Sequence, residues 1–226
     1  MGWFSSACSW VSDTVSSVCS AAASVLSSVA SVASGVLSLA KVLPILPPQV
    51  EAFLLAVKVI DIVCKALGIL DADENTEDLG DRAMQAEEAG IKPENFETYQ
   101  EYKATIDAFE LDPEKSEKYK PEEKVAAGLG VEFWALEDKF GKGAGDLLTH
   151  MVKDGVDGGS YFSKERVDSF IDKVESVADV AKYFSKTLTP EDSSRVEQKL
   201  VDAEKALSPD KSNADIYREL DTQRGA

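Results

Sequence analysis

Few residues in this sequence have a type and spacing that could do chemistry. The single histidine, His150, stands in LLTHMVKDG. One imidazole can serve as a general acid or base near neutral pH. A histidine-based metal site needs further ligands, however, and no nucleophile motif lies beside this one. His150 therefore reads as a surface or helix-end residue. GKGAGD brings Gly141, Gly143 and Gly145 together. A phosphate-cradling loop follows a strand and ends in Lys-Ser/Thr; this stretch follows a helical pattern and lacks that ending, so it reads as a connecting loop. Glu132 and Glu137 flank FWAL and could be paired carboxylates for acid-base work, but the chain has 41 acidic residues. Phe133 and Trp134 read as core or as a docking patch. LDADENTEDLGD sets Asp71, Asp73 and Asn75 like the first calcium positions of an EF-hand. Its sixth position is Thr76 rather than Gly and its twelfth is Arg82 rather than Glu, so it reads as a solvated linker with a helix start. No catalytic, cofactor-binding or metal-binding residue is assigned, and the chain is not expected to be an enzyme.

Cys8, Cys19 and Cys64 lack the paired spacing of a zinc or redox motif. They read as buried free thiols in a protein made in a reducing compartment. MGWFSS fits the loose myristoylation pattern through Gly2 and Ser6, with Cys8 as a second acceptor; the bulky Trp3 beside the glycine argues against it. No basic region precedes the apolar stretch, so no secretory signal peptide is expected.

The charge is unevenly placed. Residues 1–70 carry Lys41, Lys58 and Lys65 against Asp13, Glu51 and Asp61, so the whole net charge of −17 falls after residue 70. Such an acidic surface repels phosphate, which speaks against a nucleic-acid partner. It suits solubility or a basic protein partner.

The neutral part has a regular pattern. Val11, Val15, Val18, Ala22, Val25, Val29, Val32, Val36, Leu39 and Leu43 alternate steps of four and three. That is a seam of period 3.5, the signature of a helix packed along one stripe. Ser17, Ser20, Ser24, Ser27, Ser31, Ser34 and Ser38 form a second stripe, and no charged residue occurs from Thr14 to Ala40. Small residues let helices approach closely, and serine hydroxyls bond within or between them. The stretch would run about 40 Å, enough to cross a hydrocarbon core of about 30 Å. Its serines weaken insertion as a lone spanning helix, so an oligomeric pore or a packed hairpin suits it better.

Pro44, Pro47 and Pro48 mark a turn. A second arm follows, with Val50, Phe53, Leu54, Val57, Ile60, Val63 or Cys64, and Leu67 at helical spacing. Trp3, Phe4 and Trp10 precede the hairpin as candidate interfacial anchors; the alternative is that they cap the core of a soluble bundle. The candidate membrane or oligomer interface is Trp3, Phe4, Trp10, Val18, Val25, Val29, Val32, Val36, Leu39, Leu43, Phe53, Leu54, Val57 and Ile60. The serine stripe lines the polar side.

After residue 70, proline- and glycine-rich punctuation predicts helices near 77–89, 95–110, 121–140, 144–154, 162–187, 190–207 and 213–223. Ser163 and Thr189 are expected N-caps, the latter with Pro190 at the first helical position. The fold class is all-α: an uncharged apolar and Ser-rich hairpin over 1–70 and an acidic soluble helical domain over 71–226, expected to fold without the hairpin.

The function these features favour is that of a membrane-active, oligomerising helical protein, a pore, ejection or secretion-associated component. Its acidic domain would engage partner proteins. In general design residues 1–70 resemble helical-hairpin pore formers and the ejected membrane-penetrating proteins of phages or secretion systems. A homo-oligomer, with membrane lipid as a possible partner, and a place at a membrane or within a delivery assembly are the expectations. Two alternatives stand beside it: a soluble structural or adaptor protein of a larger assembly, and a delivered effector with an unrecognised enzymatic domain. No cofactor is called for by any of the three.

Overall fold

A computed structural model describes residues 48–119, 121–156 and 159–225. Among them every regular element is a helix. Trp3, Phe4, Trp10, the seam from Val18 to Leu43 and the serine stripe from Ser17 to Ser38 lie outside the described residues.

The first helix, α1, spans Pro48–Ala66, and α2 spans Thr76–Glu88. A 3-10 turn at Pro93–Asn95 leads to α3, Tyr99–Asp107, and the short α4, Pro113–Ser116. Then come α5, Pro121–Phe140, and α6, Asp146–Val156. The last four are α7, Lys164–Val174, α8, Val177–Phe184, α9, Pro190–Leu207, and α10, Asn213–Gln223. Thr189 and Ser163 cap their helices as expected, accepting from Asp192 N–H and Arg166 N–H. Each such cap satisfies an otherwise unpaired amide and contributes about 1 kcal/mol.

The single helix expected over 162–187 is two. Glu175 takes a left-handed φ of 62°, its N–H bonds to the Ile171 carbonyl at 2.7 Å, and Ser176 starts α8 by accepting from Asp179 N–H at 3.1 Å. The sequence signal misled because Val167, Phe170, Val174, Val177, Val180 and Phe184 keep helical spacing across the break. All six are buried. The bend lets both segments turn that face inward, with α8 packed on α6, α7 and α9.

Helix α1 packs on α6, α7 and α2. Ile60 and Cys64 are fully buried, and Val57, Val63, Ile69 and Leu70 nearly so, in the same apolar cluster as Leu147, Met151, Val167 and Phe170. Each large side chain buried this way contributes about 1.5–3 kcal/mol. The charge boundary near Leu70 therefore runs through one packed unit. Val57 and Ile60, expected at a lipid or oligomer interface, are covered by the chain's own helices. Phe53 and Leu54 lie on the same helix, upstream of the sealed half.

Helices α2 and α5 form the most extensive pair. Beside them Tyr102 and Tyr99 meet Trp134 edge-on, with ring centroids 5.4 and 5.9 Å apart, and Phe96 closes on Tyr102 at 5.5 Å. Phe133 is buried on α5, so FWAL is core. No helix among the described residues is long and apolar enough to cross a membrane.

Candidate functional site

The most unusual chemistry of the domain lies where the neutral segment joins the acidic helices. Asp61 stands on α1 beside the buried Ile60 and Cys64. Its Oδ1 accepts the backbone N–H of Thr76 at 2.8 Å and approaches the Thr76 hydroxyl at 2.6 Å. Thr76 is the first residue of α2, whose N-cap Asn75 accepts from Asp78 N–H. A helix amino end presents unpaired N–H groups and partial positive charge, which favours a carboxylate there. On the other side the Thr76 Oγ1 lies 2.8 Å from Oε1 of Glu132, a residue of α5 with no exposed surface. The second oxygen of Glu132, Oε2, is buried without a hydrogen-bond partner. Burial pushes the Glu132 carboxyl well above the usual carboxylate range, and the negative charges of Asp61 and Glu74 push it further, against the lowering pull of the Thr76 hydrogen bond. The thiol of Cys64 is also pushed up by burial, then by Glu132 and Asp61, so it is a poor nucleophile.

The segment after α1 is tied down rather than free to swing. Lys139 of α5 donates to the Leu67 carbonyl at 2.6 Å and the Gly68 carbonyl at 3.2 Å, capping the end of α1. The Tyr99 hydroxyl donates to the Ile69 carbonyl at 2.6 Å. Lys103 pairs with Asp71 at 2.8 Å, Glu74 at 3.1 Å and Asp107 at 2.6 Å. The acidic stretch suggestive of calcium positions thus has its own lysine, and among the described residues no acidic cluster suits a metal ion.

Glu132 and Glu137 do not work as a pair. Five residues apart on α5, they face different partners. Glu137 accepts the N–H groups of Gly143 at 2.8 Å and Gly145 at 2.9 Å, so the glycine-rich turn cradles the chain's own carboxylate. Gly143 needs its freedom there, at φ of 93° with the Lys182 stem packed against it.

His150 is not a surface residue. It is half-buried against the Phe184 ring at 5.8 Å, and its Nε2 lies 3.0 Å from the Ser185 hydroxyl, which donates to Asp146 Oδ2 at 3.1 Å. These are the three residue types of a hydrolytic triad, but in the wrong order. The serine stands between histidine and aspartate, so with its proton on Asp146 it takes the Nε2–H of a neutral imidazole and has no base in His150. Burial, with a smaller contribution from the positive charge of Lys153, lowers the imidazole to about 4. The cluster is a structural clasp between α6 and the end of α8.

Sequence reasoning missed Asp61 and Thr76 and gave Glu132 a different role. A signal was present: Glu132 is the one charged residue in GLGVEFWAL, and Asp61 interrupts VIDIV. Comparison with protein-family models, with curated proteins and with solved structures finds no match to this chain.

Proposed function

We propose that this chain is a membrane-active, oligomerising helical protein. Residues 1–47 supply the part that meets lipid or further copies, and the acidic helices stay in water and engage partner proteins, as in a pore, ejection or secretion-associated component. The observation that carries this reading is one of order along the chain: the uncharged valine-serine stretch, which ends at Ala40, is followed beyond Pro44 and Pro47 by a helix whose Val57, Ile60 and Cys64 are sealed into a unit bearing the whole net charge. An apolar element with a rigid, highly soluble handle can be delivered to a bilayer without precipitating. No catalytic role is proposed for the domain.

The test is flotation on liposomes with dye release, using the full chain and a triple variant, Val25→Asp, Val29→Asp and Val32→Asp, that places charge on the seam. The wild-type chain should float and release dye. The variant should keep its helical circular dichroism and lose both properties. A wild-type chain that stays at the bottom with lipids intact would overturn the reading.

One observation favours a second reading, a soluble structural or adaptor protein of a larger assembly. Val57 and Ile60, the residues of the expected lipid or oligomer interface whose surroundings are described, are covered by protein. On that reading the triple variant would break a homo-oligomer in detergent-free buffer, seen by light scattering.

A further inference from the structure

The geometry at Asp61, Thr76 and Glu132 sets a proton count. The Thr76 hydroxyl has one hydrogen to donate, yet it lies at hydrogen-bond distance from two carboxyl groups, 2.6 Å from Asp61 and 2.8 Å from Glu132. If both carboxyls were ionised, one contact would oppose two acceptors with no hydrogen between them, inside a core with no water to relieve the mismatch. One further proton resolves it. A protonated Glu132 donates from Oε1 to Thr76 Oγ1, and Thr76 donates onward to Asp61, which also receives the Thr76 N–H. Of the two carboxyls, Glu132 is the one to hold the proton. It is fully buried with Oε2 unpartnered, whereas Asp61 accepts two hydrogen bonds at a helix amino end.

From this geometry we infer that the contact between α1 and the rest of the domain is a proton-dependent latch, closed while Glu132 carries a proton and loosened when that proton is lost. The three partners come from three places: Asp61 from α1, Thr76 from α2 and Glu132 from α5. Losing the proton sets two like charges across one hydroxyl between the helix that carries the N-terminal segment and the body that holds it. The other groups facing Glu132 do not compensate. Cys64 on α1 and Tyr99 on α3 are neutral, Glu74 has the same sign, Lys103 is engaged by Asp71, Glu74 and Asp107, and Lys124 pairs with Asp81 at 2.9 Å. Because the folded-state carboxyl is raised above its unfolded value, the latch is at full strength below the ordinary glutamate range and weakens as pH rises through the folded value. The latch concerns the chain's own α1 and does not depend on the membrane reading.

The test is hydrogen exchange on the full-length protein, reading protection factors of amides 57–66 at pH 5 and pH 8 with intrinsic rates corrected. In the wild type, protection should fall about tenfold or more between the two. Glu132→Gln keeps a donor toward Thr76 and has no proton to lose, so its protection should be nearly the same at both. Equal wild-type protection at the two pH values, or an unchanged pH dependence in E132Q, would overturn the latch. Should E132Q not fold, the infrared spectrum of the wild type decides. A protonated-carboxyl stretch at neutral pH that shifts with isotope-labelled glutamate and fades on raising the pH supports the latch; absence of that band overturns it.

Discussion

Gly80 of α2 and Gly128 of α5 meet where the two helices cross, so close that a methyl group on Gly80 would stand 2.7 Å from the Gly128 nitrogen and 1.7 Å from the Lys124 carbonyl oxygen. A methyl on Gly128 would stand 1.9 Å from the Thr76 carbonyl oxygen. The obstacles are backbone atoms, which cannot swing aside as a side chain can. The crossing thus presses Thr76 against α5 and holds its hydroxyl within reach of Glu132.

Gly80→Ala or Gly128→Ala should therefore destabilise the domain by about 2–3 kcal/mol or more, although alanine is the better helix former by about 1 kcal/mol. Gly90 is the control. It sits just past α2 at a φ of 85°, with open space where a Cβ would stand. Gly90→Ala should cost only about 1 kcal/mol, from left-handed strain. Urea unfolding of the three variants orders the costs. Equal losses at all three positions would show that the close approach does not govern this crossing.

Residue 48, not residue 71, should mark the start of the folding unit. A 71–226 fragment lacks Val57, Ile60, Val63, Cys64, Ile69 and Leu70 from the core, and Asp61 from the amino end of α2. It should aggregate or melt without cooperativity. A 48–226 fragment keeps them all and should show a single sharp thermal transition by circular dichroism. Equally cooperative melting of both fragments would remove α1 from the core.

The contrast shows what the sequence could disclose. Helix identity and caps were legible, because the caps at Ser163 and Thr189 and the proline at 190 act locally. The end of α7 at Glu175 was not, since a bend that keeps the apolar spacing leaves no mark on periodicity. The placement of α1 was misread for a related reason. Net charge changes at residue 70, but apolar packing ignores net charge. Val57 and Ile60 bury as well against α6 and α7 as they would against lipid or a second copy. The polar cluster needs three segments brought together, and no local spacing encodes that Asp61, Thr76 and Glu132 meet. What was legible was the anomaly of one carboxylate inside GLGVEFWAL.

His150 offers a direct reading of the interior, because it is the only histidine in the chain and gives a single imidazole signal. Packed on Phe184 and bonded to Ser185, it stays neutral down to about 4, compared with about 6.5 for an exposed histidine. A proton NMR titration should place its midpoint near pH 4. The stability tied to it is present above the unfolded value of about 6.5 and is lost as pH falls toward 4, a swing of about 3 kcal/mol. Its sign is opposite to that of Glu132, so the domain is pulled both ways between these pH values. Asp146, in the same cluster, is raised chiefly by burial and also gains stability toward acid. The difference between wild type and His150→Gln isolates the histidine: the variant should lose stability at pH 7, where the clasp to Ser185 is altered, yet fall off less steeply between pH 6.5 and pH 4. A midpoint near 6.5, or parallel acid curves for the two proteins, would mean that water reaches the ring and that α6 and α8 are not clasped there.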